Sequence, residues 1–475
     1  MNAITTDICV IGAGSGGLSV AAGAVQMGAR VVLIEKGEMG GDCLNYGCVP
    51  SKALLAAGKH AHMFGHSEAF GIAGAVPEVD FRKVHDHVRD VIAGIAPHDS
   101  QERFEGLGVT VIREHARFEG ARTVIAGATR IRAKRFVIAT GSGPRVPPIP
   151  GLDTVDYFTN ETIFNNTVRP EHLIVIGGGP IGMEMSQAHL RLGARVTTLE
   201  GATALGKDDP ELAAIVKQRL TAEGLDLREN TKVSRVEKTD AGLRVHYECN
   251  GDAESIEGTH LLVAVGRVPN VEDLGLEAAG IDYTPGGIVT DARLRTTNRR
   301  VFAIGDVKGG LQFTHVAGYD AGIVIRNALF KLPAKADYNA VPWVTYTDPE
   351  MAHVGLTEAD ARARHGDGIR VLSWGFDEND RARAERRTEG RIKVVADARG
   401  VILGASIAGL NAGELLAPWI LAVGAGHKIG TMAQFIAPYP TLTEVSKRVA
   451  GSWYTPTLYS PRVKFIVRLL MRLFG

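Results

Sequence analysis

Ile8-Cys9-Val10-Ile11-Gly12-Ala13-Gly14-Ser15-Gly16-Gly17 runs a short apolar segment into a glycine turn. An unbroken apolar run closed by glycines reads as a buried strand ending in a tight turn. Gly12, Gly14 and Gly17 stand in the spacing G-x-G-x-x-G, and a small-residue helix follows to about Met27. Val31-Val32-Leu33-Ile34 is the next strand, ending at Glu35. In such a turn the backbone N–H groups and the helix N-terminus can hold a pyrophosphate, and an acid about 20 residues on can accept hydrogen bonds from a ribose. Glu35 is placed for that role.

A single copy of this pattern is weak evidence. A second copy follows, with Leu173 to Ile176 apolar, then Gly177, Gly179 and Gly182, a helix to about Leu192, and a strand ending at Glu200. Gly177 to Glu200 spans the same interval as Gly12 to Glu35. Two copies with strand, helix and acid in register point to two dinucleotide-binding folds.

The remaining segments fit around these. Phe81 to Leu107 reads as one long helix, 109–139 as short strands, and Pro144, Pro147, Pro148 and Pro150 as a linker. Arg228 to Ala264 reads as a meander with a hairpin turn at Asn250-Gly251. From about Val341 a strand-rich α+β segment begins, and Ser460 to Gly475 is apolar and basic.

The 475 residues suffice for about three domains, and 45% hydrophobic content can form sizeable cores. Zero formal net charge gives no whole-chain reason to expect a nucleic-acid partner. The opening residues, Met1 to Asp7, have no basic leader, so no signal peptide is expected. No apolar run reaches the ~18 residues of a membrane span, and a cytoplasmic location is expected. Four cysteines, Cys9, Cys43, Cys48 and Cys249, are too few for a disulfide scaffold.

Two of them stand close in Gly40-Gly41-Asp42-Cys43-Leu44-Asn45-Tyr46-Gly47-Cys48-Val49-Pro50-Ser51-Lys52. In a reducing compartment such a pair suggests redox chemistry or metal binding. A disulfide needs Cα atoms within about 7 Å, and a straight helix separates i and i+5 by more along its axis. The segment must therefore turn, and Gly47 is the expected place. Cys48 is expected to open a helix through Leu54 and Leu55, where a helix N-terminus lowers a thiol pKa. A zinc site would need further ligands. His60, His62 and His66 read as a solvated helix face, so no metal ligands are assigned. Cys9 reads as a buried bystander, and Cys249 has no partner visible in the sequence.

These residues resemble the pyridine nucleotide-disulfide oxidoreductases, the family of dihydrolipoamide dehydrogenase, glutathione reductase and mercuric reductase. The resemblance covers nearly the whole chain. It rests on the Cys-x4-Cys stretch, Ala139-Thr140-Gly141, Gly266-Arg267-Val268-Pro269-Asn270, Ala303-Ile304-Gly305-Asp306 and Tyr346-Thr347-Asp348-Pro349-Glu350. It implies an α/β chain with two Rossmann-like dinucleotide-binding domains, for FAD and NAD(P), plus a C-terminal α+β dimerisation domain. The expected divisions are 1–149 and 269–340 for FAD, 150–268 for NAD(P), 341–455 for dimerisation, and 456–475 as a basic amphipathic tail. Gly12, Gly14, Gly17, Glu35, Lys52, Thr140, Gly141, Asp306 and Ala317 would then hold FAD, with Asp306 at its ribityl chain. Gly177, Gly179, Gly182, Glu200 and Gly266 would hold the nicotinamide cofactor. Glu200 would repel a 2′-phosphate, Gly201-Ala202-Thr203 offers no Arg, and Lys207 is the nearest downstream cation, so NADH is favoured over NADPH.

The implied mechanism is hydride transfer to flavin, then electron flow into a Cys43–Cys48 disulfide. Cys48 would be the flavin-proximal thiolate and Cys43 the interchange thiol. Lys52, paired with Glu184, would stabilise the reduced flavin electrostatically. A homodimer would share its active sites between subunits.

The chain departs from the family pattern in two places. Lipoamide and glutathione reductases carry His-Pro-Thr, with a Glu close downstream, as their acid/base element. Here Tyr439-Pro440-Thr441 stands with Glu444 in register, and a phenol of ordinary pKa near 10 is a poor base at neutral pH. Glutathione reductases also use an Arg on the first helix, where this chain has Ala21-Ala22. Mercuric reductases share the Tyr but add a C-terminal cysteine pair, and no cysteine follows Cys249. A small-molecule disulfide, a metal ion or a quinone all stay open as acceptor. In 460–475, Lys464, Arg468 and Arg472 share a helix face. That segment reads either as a dimer-packing helix or as a peripheral contact with the inner membrane face.

Overall fold

Ile8, Cys9, Val10 and Ile11 are at most 3% exposed, because both faces of their strand are covered. A computed structural model describes residues 2–474, so Met1 and Gly475, the outer ends of the expected 1–149 and 456–475 segments, lie outside the described residues. Strand β1 (Asn2–Ile11) leads through the glycine turn into helix α1 (Ser15–Gln26) and strand β2 (Val31–Ile34). Helix α2 (Cys48–Gly65) follows. β1 pairs in parallel with β2 and with Thr129–Ile138 at the centre of a seven-stranded sheet. Val301–Ala303 joins that sheet beside Thr129–Ile138. Alternation along β1 sends Cys9 and Ile11 into one core with Phe118 and Phe136, and Ile8 and Val10 into another with Leu18 and Phe302.

The second copy has the same order: β3 (His172–Ile176), α3 (Pro180–Arg191) and β4 (Arg195–Leu199). Asp226–Arg228, β4, β3 and His260–Val263 form a parallel four-stranded sheet. Between its last two strands the chain makes the expected meander, Thr231–Thr239, Gly242–Cys249 and Asp252–Gly258. Asn250 (φ 52) and Gly251 (φ 98) are both left-handed, as a two-residue hairpin turn requires.

Phe81 to Leu107 is not one helix. Phe81–Ile95 gives way to a short 3-10 turn, Ala96–His98, and a new helix runs from Gln101 to Gly106. Pro97 has no N–H to continue the ladder, and Ser100 caps the new helix by accepting from the Arg103 N–H at 3.2 Å.

Residues to Ala202 together with Leu225–Asp337 make one compact unit, and Thr203–Gly224 with the chain from Tyr338 make a second. The second unit has a five-stranded antiparallel sheet in the order Pro342–Thr345, Glu350–Gly355, Ile402–Gly409, Arg391–Asp397, Ile369–Gly375. Ile392, Ile407, Trp419 and Val445 are buried in its core, and Trp419 donates to Ser446 Oγ at 3.0 Å. The last helix, α4 (Pro461–Phe474), has no buried residue. Among the described residues no helix is long and apolar enough to cross a membrane.

Candidate active site

Gly40 (φ 89) and Gly41 (φ 64) are the left-handed positions of the cysteine loop. A Cβ at Gly41 would lie 2.6 Å from Gly14 Cα, so the loop lies directly on the first glycine turn. Gly47 has a different role from the expected one. Its φ is −126, outside the left-handed region. A Cβ there would lie 2.8 Å from Asp42 Oδ2, so glycine is needed for room rather than for handedness.

Cys48 opens α2, and Cys43 sits in the short helix Gly41–Asn45 before it. Both are free thiols; Cys43 is half-buried and Cys48 exposed. The Cys48 thiol is pulled down to about 6, first by a hydrogen bond from Cys43 and then by Thr314 and the charge on Lys52, against the opposing effect of burial. The same bond and burial push the Cys43 thiol strongly up. Within the pair the anionic form is therefore favoured at Cys48 over Cys43. Thr314 Oγ1 stands 3.5 Å from Cys48 Sγ.

Lys52 follows one turn along α2. Its Nζ lies 2.9 Å from Oε2 of Glu184, which projects from α3 and whose side chain is 5% exposed. The two helices meet closely: a Cβ at Gly58 would stand 3.2 Å from Ala188 O. That packing brings the second glycine-loop helix to the cysteine helix.

A polar chain ties the cysteine loop to the Gly305-Asp306 segment. Arg267 contacts Asp42 Oδ1 at 2.9 Å and donates to Ser142 Oγ at 2.7 Å, and Ser142 donates to Asp306 Oδ2 at 2.6 Å. Burial pushes the Asp306 carboxyl up, and the Ser142 bond opposes it. Thr140 and Asn270 exchange hydrogen bonds of 2.8 and 2.9 Å, locking Thr140-Gly141 to the Gly266–Asn270 stretch. Ala317 is buried near Gly16 and Gly305.

A Cβ at Gly17 or Gly182 would lie 1.8 or 1.9 Å from the carbonyl oxygen of Gly12 or Gly177, so strand–helix packing demands those glycines. Gly14 and Gly179 differ. Both are extended (φ −79 and −73), and a Cβ would meet no protein atom nearer than 3.9 Å at Gly14 and none within 4 Å at Gly179. Neither packing nor conformation asks for glycine there, whereas a pyrophosphate against bare backbone does. Glu35 accepts from the Ala13 and Gly37 N–H groups at 2.6 and 2.7 Å, and Glu200 from those of Gly178 and Ala202 at 2.6 and 2.9 Å. Each loop thus holds an acid beside its bare turn, an arrangement that fits FAD and NAD(P)H.

Tyr439 and Glu444 belong to the second unit. Tyr439 is 71% exposed and donates to Asp380 Oδ2 at 3.1 Å, which pushes its phenol further up. Glu444 opens the helix Glu444–Ser452. Cys9 is fully buried, and burial pushes its thiol up. His62 and His66 stack at 4.0 Å near the end of α2. Among the described residues, no cluster of three or more His, Cys, Asp or Glu side chains is placed to hold a metal ion. Thr314 carried no local signal in the sequence. Asp42, Ser142 and Arg267 lay inside or beside quoted motifs, but their partners are distant in the chain.

The family model described as pyridine nucleotide-disulphide oxidoreductase matches residues 6–321, and that of its dimerisation domain matches 341–450. A mercuric reductase of Bacillus cereus is 38% identical over 92% of this chain and 70% of its own length. A dihydrolipoyl dehydrogenase of Geobacillus stearothermophilus is 37% identical over 94% of this chain and 96% of its own. The Cu(II) complex of the HOCl-induced flavoprotein disulfide reductase RclA from Escherichia coli superposes with a TM-score of 0.85 at 28% identity, covering 94% of this chain and 99% of that one. Relatives of this kind are enzymes that use FAD and NAD(P)H, and the dimerisation domain supports a homodimer. The chain belongs to the pyridine nucleotide-disulphide oxidoreductases.

Proposed function

We propose that this enzyme passes electrons from NADH through FAD to the Cys43–Cys48 pair and from there to a thiophilic metal ion. Bound FAD would supply the two-electron relay between nicotinamide and disulfide. Residues up to 149 with 269–340 would hold it, and 150–268 would hold the nicotinamide. Glu35 and Asp306 would accept hydrogen bonds from the FAD hydroxyls, and Glu200 from the NADH ribose. Lys52, steadied by Glu184, would set a positive charge beside the relay. Cys48 would be the thiolate facing it, and Cys43 would meet the acceptor.

The redox route is carried by Cys48, a depressed thiol one turn from the Lys52–Glu184 pair at 2.9 Å. Tyr439 favours the metal acceptor. Reducing an external disulfide expels a thiolate, which needs a proton from a well-matched acid. A Cys48 thiolate–Cys43 thiol pair that reduces one two-electron ion, or two one-electron ions, re-forms its disulfide and releases the single Cys43 proton to solvent. A high-pKa phenol, contributed by the partner subunit in a shared site, suits the second reaction better. The mercuric reductases among the relatives and the copper-bound neighbour support the same choice.

An anaerobic acceptor panel of Hg(II), Cu(II), lipoamide, glutathione disulfide and quinones tests this. Metal turnover well above lipoamide turnover is expected, and Tyr439→His is expected to raise the lipoamide rate. Brisk lipoamide turnover by the unaltered enzyme overturns the metal assignment and returns the chain to the dihydrolipoamide dehydrogenases. Glu200→Ala should lower kcat/KM for NADH more than for NADPH. We further propose a cytoplasmic enzyme whose residues 460–475 make a peripheral membrane contact, a reading favoured by a final helix with no buried residue. On that reading a quinone or membrane protein becomes a possible acceptor.

A further inference from the structure

Helix α4 carries Arg462, Lys464, Arg468 and Arg472, and Pro461–Phe474 contains no Asp or Glu. Lys464, Arg468 and Arg472 recur every fourth residue and so line one face. Ile466, Leu469, Leu470 and Leu473 line the opposite face and are 47, 45, 48 and 64% exposed. Residues that apolar in a helix need a cover.

We propose that α4 lies in the plane of an anionic phospholipid surface, its leucine face among the acyl chains and Lys464, Arg468 and Arg472 at the headgroups, with Arg462, on the leucine side of the first turn, reaching back to them along its aliphatic stem. This rests on the membrane-contact reading of 460–475 and adds the lipid chemistry. The charges are complementary: cations unrelieved by any acid meet a negatively charged surface, while the apolar face supplies the area that holds the helix there. Removing cations therefore weakens attachment through the surface potential, and removing leucines weakens it whatever the lipid charge.

The test is flotation of the FAD-loaded full-length enzyme with vesicles of phosphatidylcholine alone or with one-third phosphatidylglycerol. Binding to the anionic vesicles, reversed by salt, is expected. Each of Lys464→Gln, Arg468→Gln and Arg472→Gln should lower the partition about fivefold. Leu469→Asp with Leu473→Asp should abolish it while leaving NADH-dependent turnover of a soluble acceptor unchanged. Equal flotation with both vesicles, or a triple Gln variant that floats as well as wild type, leaves the contact standing and overturns the anionic-lipid inference. No flotation with either vesicle overturns both.

Discussion

Replacing Thr314 by valine removes one hydroxyl 3.5 Å from the Cys48 sulfur and keeps the side chain's shape. A hydrogen bond to a charged group is worth about 1.5–3 kcal/mol, and about 1.4 kcal/mol moves an acid by one pKa. Cys48 is exposed and the contact is long, so the lower end applies. The variant should raise the Cys48 thiol from about 6 to about 7. The reactive thiolate is lost as pH falls through that value. At about pH 6.5 the thiolate fraction then drops from about three-quarters to about one-quarter, while near pH 8.5 it hardly changes. Brief iodoacetamide labelling of the reduced protein, with each cysteine peptide quantified by mass spectrometry, reads this directly. Cys48 labelling should slow about threefold at the lower pH and stay level at the higher one. An unmoved Cys48 profile, or Cys43 labelling first, would refute the account of how the pair shares its proton.

Gly14→Ala should fold with stability within about 0.5 kcal/mol of wild type yet bind FAD at least about tenfold more weakly, whereas Gly17→Ala, whose Cβ would meet Gly12 O at 1.8 Å, should not fold; thermal melts and flavin release check both. Lys52→Met takes from a 5% exposed Glu184 the cation it faces, and with Lys52 partly exposed the cost should be about 1–3 kcal/mol in a denaturant titration. Adding Glu184→Gln should recover part of it. Ser446→Ala leaves the buried Trp419 N–H without its acceptor and should cost about 1–3 kcal/mol, measured the same way.

The glycine loops could be read in the sequence because their constraint is local. Gly17 must be glycine to clear Gly12, five residues away, so spacing alone carries the information. The strands around them were readable for a related reason: residues buried on both faces leave an unbroken apolar run. The apolar pattern over Phe81–Leu107 reads as one helix because it runs on through the break that Pro97 and the Ser100 cap make. That Gly47 turns the chain is legible from the cysteine spacing, but the reason it must be glycine is not, since its neighbour Asp42 is placed only once the loop is folded. Thr314 lies 266 residues from Cys48 in the chain, and only the packed fold brings them together. The same holds for Arg267 and Asp42.

On the proposed route Cys48 is a thiolate that would face the flavin. Anaerobic NADH titration of wild type and Cys48→Ser, followed by absorbance, tests it most directly. A long-wavelength band from thiolate against flavin should rise in wild type and be missing in the variant. A wild-type enzyme whose flavin bleaches without that band ever forming would contradict the account.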